Sequence, residues 1–275
     1  MNWKGLKTIK TQIIIKKKFS KQLLLFIILT LFLVLVITYA VLTDIIILRK
    51  TEDMVGSENA ISILFVGSSH VFVGNAPSQL QTITKMYDIE IIYKDISRHG
   101  NRGGTLNELR EQAINEIQSG RFDYVVLQDQ TRRSLSNVEG LLDEIRIICN
   151  EAKANSVIPV LYNFAWAVSD GLPDEKRLSV STDVFKLAAD ENDAILVNAA
   201  EAWIYSYRKI PGISLYTRFD PRGLHANSAG GFLTACVFAA TLFDLHIEEI
   251  PKDSLYRGND ASELAKAAWD FVRTP

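Results

Sequence analysis

ISILFVGSSHVFVGN, residues 61–75, decides how this chain folds. Ile61–Val66 is a short, mostly apolar run that stops at Gly67. A run of that length bounded by turn residues reads as a buried strand. Gly67-Ser68-Ser69-His70 then turns the chain toward Ala76–Met86, a helical stretch with Pro77 suited to its first turn. Strand, tight turn and helix follow one another within 26 residues.

The same alternation recurs downstream. Ile89–Tyr93 reads as a second strand, and Thr105–Ser119 as a helix ending at Gly120. Asp123–Leu127 is a third strand, followed by a helix over Val138–Ala154. Val157–Tyr162 is a fourth, followed by a helix over Glu175–Asp190. Ala194–Val197 is a fifth, leading into a helix over Ala199–Arg208. A long apolar helix over Ser228–Leu245 and an amphipathic one over residues 261–273 close the chain. Short apolar strands separated by helices indicate a parallel sheet covered on both faces, a three-layer α/β/α sandwich. Open sheets of this kind bind ligands beyond the carboxyl ends of their strands. Attention therefore falls on the residues after Val66, Tyr93, Leu127, Tyr162 and Val197.

Ser69 lies on the first of these turns, where a side chain is exposed for attack and backbone N–H groups can face a developing oxyanion. The turn is not a G-x-S-x-G elbow, because Val71 stands at the second glycine's place. A G-x-G-x-x-G dinucleotide fingerprint is absent. Late in the chain, Asp220-Pro-Arg-Gly-Leu-His225 opens the apolar helix. A histidine there can reach the first strand's end and take a serine proton, with an aspartate orienting its ring. Singly, each feature has a plainer reading, as an ordinary βα turn and a surface histidine.

Together they resemble a family. Gly67-Ser68-Ser69, Gly103-Gly104-Thr105-Leu106, Leu127-Gln128-Asp129-Gln130 and His225 stand in the order of the SGNH/GDSL hydrolase blocks, over roughly Ile61 to Leu245. The likeness is to bacterial members whose first block reads Gly-Asn-Ser. It implies a five-stranded, flavodoxin-like parallel sheet, Ser69 as nucleophile and His225 as general base. It also implies an oxyanion hole from the N–H groups of Ser69 and Gly104, with Gln130 where the family usually has asparagine. The chain departs from the pattern at the acid: Arg222 stands three residues before His225, and Asp220 five before. Either Asp220 still orients the ring or the site is a Ser–His dyad with a backbone carbonyl holding the tautomer. Ser68 replaces the usual Asp or Asn before the nucleophile.

His70 and Trp166 are expected to line the substrate pocket, Trp166 as a sugar-stacking platform; Tyr162 and Trp203 read as packing residues. Arg98, Arg102, Arg132 and Arg133 lie on loops at the same sheet edge and could attract an anionic glycan or acyl donor. A metal site from His70, His99 and His225 lacks a supporting carboxylate motif, and no cofactor or metal is expected.

Ahead of this domain, residues 1–22 carry seven lysines and no acid, and Leu23–Thr43 is uncharged. About 20 apolar residues suffice to span a bilayer core. The run is longer than a signal peptide's apolar region, and Thr38-Tyr39-Ala40 is a poor cleavage site. The expected organisation is a cytoplasmic basic tail (1–22), a single-pass anchor (23–43), a linker (44–59) and a hydrolase-like domain (60–275) outside the cell membrane.

The formal net charge is −2, so beyond the +7 tail the chain carries −9. That acidity argues against a nucleic-acid partner. Cys149 and Cys236 lie in apolar helical stretches and read as buried thiols. The expected activity is a serine esterase releasing small acyl groups, acetyl foremost, from a glycan, an acylated small molecule or another envelope substrate. The alternatives are an acyltransferase sharing the same acyl-enzyme and a non-catalytic binding module on the same fold.

Overall fold

In the computed structural model, the residues described are Phe32 and residues 59–98, 104–130, 132–164, 168–169, 172–217, 225–254 and 256–274. The chain divides at Val55–Gly56, and all that follows concerns the second unit, Gly56–Pro275. The expected span Leu23–Thr43 lies outside the described residues apart from Phe32. Among the described residues, no helix is long and apolar enough to cross a membrane.

A five-stranded sheet forms the middle layer. Its strands are β1 (Ile61–Val66), β2 (Ile91–Asp95), β3 (Tyr124–Leu127), β4 (Ile158–Asn163) and β7 (Ile195–Asn198). Their order is β2-β1-β3-β4-β7, and every pairing is parallel. This is the flavodoxin-like order, with its switch point at β1 and β3. Parallel neighbours need long crossovers, which the helices supply. A two-stranded antiparallel ribbon, β5 (Val168–Ser169) with β6 (Leu172–Pro173), follows β4.

On one face lie α2 (Ala76–Lys85), α7 (Ala199–Lys209), α8 (Ser228–Phe243) and α9 (Ala261–Arg273). On the other lie α3 (Leu106–Gln118), α4 (Arg133–Ser136), α5 (Val138–Ala154) and α6 (Glu175–Asn192). A single turn, α1 (Ser69–Phe72), follows β1 directly. Residues 229–240 of α8 are all buried, as befits a helix apolar on every side. Its Phe238 ring meets Phe65 of β1 and Tyr162 of β4 edge-on. Trp203 is fully buried and donates from Nε1 to Thr234 Oγ1 at 3.2 Å. Tyr162 and Trp203 are thus packing residues, and both cysteines are buried free thiols.

Most expected boundaries shift by one or two residues. Strand β2 begins at Ile91 rather than Ile89 because the Ile89 N–H bonds back to Thr84 O at 3.1 Å, closing the end of α2. Strand β3 begins after Asp123, whose carboxylate accepts from the N–H and hydroxyl of Ser62, each at 2.7 Å. Thr105 sits outside α3 as its N-cap, in a reciprocal capping box with Glu108.

The carboxyl end of the sheet carries a buried polar network. Asn163, last in β4, donates to Thr182 Oγ1 and Asn198 Oδ1, each at 3.0 Å, and accepts from Ser181 Oγ at 3.0 Å. Ser181 in turn accepts from Ser134 Oγ–H at 3.0 Å. Satisfied buried networks of this kind rigidify the elements they join. Here α4 and α6 are tied to the strand ends where the candidate residues gather.

Candidate active site

The nucleophile candidate owes its position to the first turn. Ser68 is extended (φ −100°, ψ −172°) and N-caps α1, so Ser69 is the first helical residue. Its N–H falls in the opening turn, where helical donors have no intrahelical acceptor. Gln128, the first residue past β3, holds this turn from below. Its Oε1 accepts from Ser68 N–H at 2.8 Å and from Ser68 Oγ–H at 2.9 Å. Gln128 is 3 % exposed, and its amide nitrogen donates to the Asp129 carbonyl.

Gly104 packs against the same turn. A Cβ there would stand 2.8 Å from Arg98 O and 3.2 Å from the Cα and Cβ of Ser68. Only a residue without a side chain brings this backbone so close to the serine. Arg98 itself pairs across to Ser68, its N–H donating to Gly67 O at 3.0 Å.

His225 arrives on a separate arm. Thr217 N–H donates to His225 O and Asn227 N–H to Leu215 O, each at 2.9 Å, so residues 215–217 and 225–227 run antiparallel. Asn227 caps α8 by accepting from Gly230 N–H at 2.9 Å. Two glycines let this arm dock on the turn after α1. Gly74 has φ +92°, and a Cβ on Gly231 would overlap the Gly74 carbonyl. Gln79 spans the joint, donating to Gly74 O at 2.9 Å and Ser228 O at 3.1 Å. The result is Ser69 Oγ 2.9 Å from His225 Nε2.

The other expected residues are distributed unevenly. His70 is 3 % exposed; its ring stacks on Phe164 at 4.4 Å and lies 4.9 Å from the His225 ring. It therefore packs against His225 instead of facing open solvent. Gln130 follows Asp129 at the end of β3 and lines a small cavity with Ser134, Asn163 and Phe164. Asp220 and Trp166 lie outside the described residues, as do Arg102 and His99. Arg98 donates to Gln112 Oε1 at 2.9 Å, and Arg133 pairs with Asp129 at 3.0 Å. Arg132 is exposed and left-handed, with φ +94°. Among the described residues, no group of three or more His, Cys, Asp or Glu side chains could hold a metal ion.

Gln128 stands in the Leu127–Gln130 block with no role legible there, and Gln79 and Phe164 belong to no block. Gln128 and Phe164 each stand at the carboxyl end of a strand, which was the available signal; Gln79 lies inside a helix and carried none.

A geometry that brings a turn serine, a histidine and a glycine backbone together suits nucleophilic acyl chemistry. The sequence matches no family model and no curated protein. Solved structures do match. A candidate SGNH hydrolase from Slackia heliotrinireducens is 22% identical, covering 67% of this chain and all of its own, with a TM-score of 0.54. A DUF4886 family protein from Bacteroides uniformis is 14% identical over 78% of this chain and 95% of its own, with a TM-score of 0.58. A catalytic mutant of Axe2, an acetylxylan esterase from Geobacillus stearothermophilus, is 15% identical over 69% and 96%, with a TM-score of 0.51. The chain has the fold of the SGNH hydrolases.

Proposed function

We propose that this chain is an extracytoplasmic serine esterase that removes small acyl groups, acetyl foremost, from a carbohydrate or other cell-envelope substrate. The observation that carries the reading is the 2.9 Å contact between Ser69 Oγ and His225 Nε2. Ser69 attacks the ester carbonyl as His225 takes its proton, and the imidazolium then protonates the leaving alcohol. Water attacks the acyl-Ser69 ester by the reverse relay, releasing the carboxylic acid and restoring the serine. The N–H groups of Ser69 and Gly104 and the amide of Gln130 receive the oxyanion; the close packing of Gly104 on Ser68 supports that role.

Asp220, five residues before His225 in the sequence, orients the imidazole. Trp166 offers a stacking face to a sugar. The acetylxylan esterase among the structural neighbours supports an acylated glycan as substrate. The lysine tail and the run Leu23–Thr43 support a single-pass anchor with the domain outside. The test is turnover of short-chain p-nitrophenyl esters by the full-length chain. The wild type should release p-nitrophenol and Ser69→Ala should not; equal rates would remove the mechanism.

A further inference from the structure

We infer that His70 is a positioning residue whose ring, backed by Phe164, sets the plane of the His225 imidazole. The inference rests on the esterase reading and adds to it how His225 is aimed. His70 follows Ser69 within α1 and is buried. Its ring is nearly parallel to that of Phe164, with an interplanar angle of 19° and centroids 4.4 Å apart. The His225 ring lies 4.9 Å from the His70 ring, tilted by 33°. Phe164, the first residue past β4, is buried as well and meets Trp203 of α7 edge-on at 5.3 Å. Trp203 in turn meets the Tyr216 ring at 4.8 Å. Tyr216 pairs with Ala226, the residue after His225, on the arm that carries the histidine. One aromatic cluster thus braces His225 twice, through its ring at His70 and through its backbone at Tyr216.

The two braces act on different freedoms. Backbone pairing fixes where the side chain of His225 starts. The torsion that turns an imidazole about its Cβ–Cγ bond is broad, so neighbours must choose its value. A flat ring stacked beside it restricts that rotation, because aromatic pairs favour particular mutual orientations. In the orientation so left, Nε2 stands 2.9 Å from Ser69 Oγ. A partner on Nδ1 selects the tautomer, which is a separate task. An aliphatic side chain at 70 would fill the same space but offer no flat face, and the imidazole could turn against it. The ring at 70 therefore has a purpose that packing does not supply.

The experiment compares the full-length wild type with His70→Phe, His70→Leu and Phe164→Leu. It measures kcat and KM on p-nitrophenyl acetate, the rate of labelling by a fluorophosphonate, and the thermal midpoint. Phenylalanine keeps a flat ring at 70; leucine keeps bulk without one. Misplacing a reacting group by about 1 Å can cost on the order of 10²-fold. His70→Leu should therefore lower kcat and the labelling rate together, about 10- to 100-fold, with KM within about twofold. His70→Phe should hold both rates within about fivefold of the wild type. Phe164→Leu, one ring further from His225, should move as His70→Leu does, by less. Equal rates in His70→Leu and His70→Phe, whether high or low, would overturn the inference. A raised KM at unchanged kcat would also overturn it, by marking a side chain that touches substrate. The same holds for rates that simply follow the thermal midpoint across the three variants, the mark of a merely structural residue. A wild type that neither turns over the ester nor takes the label would overturn the esterase reading, and the inference with it.

Discussion

Gly231 presses its backbone onto the carbonyl of Gly74, and this contact joins the arm that carries His225 to the turn that carries Ser69. A methyl group at 231 has nowhere to go but into that carbonyl. Gly231→Ala should therefore push the start of α8 away from α1 and lengthen the Ser69–His225 contact. The expected cost is about 1–3 kcal/mol, as for overpacking elsewhere. Esterase activity should fall further than that loss explains. Urea unfolding and ester turnover on the same preparation check both, and wild-type values would show that the joint has slack.

Gln128 makes a prediction of a different kind. Its single oxygen satisfies two donors of Ser68 in a site without water access. Gln128→Leu should strand both, at about 1–3 kcal/mol for each unsatisfied donor. Adding Ser68→Ala should recover part of that cost, because removing both partners is cheaper than removing one. A double-mutant cycle on unfolding free energy reads the coupling, and a value near zero would mean that the turn does not depend on Gln128.

Asp129 gives stability a pH signature. Its folded value is raised to about 6 from 3.8, so between those values the folded state holds the extra proton. Stability contributed by this group should fall as pH rises through that window, by on the order of 3 kcal/mol at most. Asp129→Asn should flatten the slope. Urea midpoints of the two proteins at about pH 4.5 and about pH 7 test the sign, and identical slopes would refute it.

The two thiols should be silent in the native state. Burial pushes Cys149 up to about 12 and Cys236 higher still. Ellman's reagent should find no thiol in the folded protein and two after unfolding. Prompt native reaction at either cysteine would contradict the packing of α5 or α8.

Legibility in the sequence follows how local each determinant is. β1 was readable because its length, composition and Gly67 stop are contiguous, and α8 because no polar face interrupts it. The start of β2 was not, since the N–H of Ile89 turned back to Thr84 sets it. Ser69 and His225 were nameable because each stands where this class of sheet gathers ligands, although 156 residues separate them. The role of Gln128 depends on Ser68, 60 residues away. The stacking of His70 on Phe164 and its contact with the His225 ring join residues far apart in the chain. Such contacts belong to the folded chain and leave no spacing in the linear one.

The proposed catalysis passes through a covalent acyl-enzyme on Ser69. The most direct measurement is treatment of the full-length chain with a fluorophosphonate, followed by peptide mass spectrometry. One adduct is expected, carried by Ser69, absent in Ser69→Ala and strongly slowed in His225→Ala. A folded wild-type chain that acquires no adduct, or carries it on another residue, would contradict it.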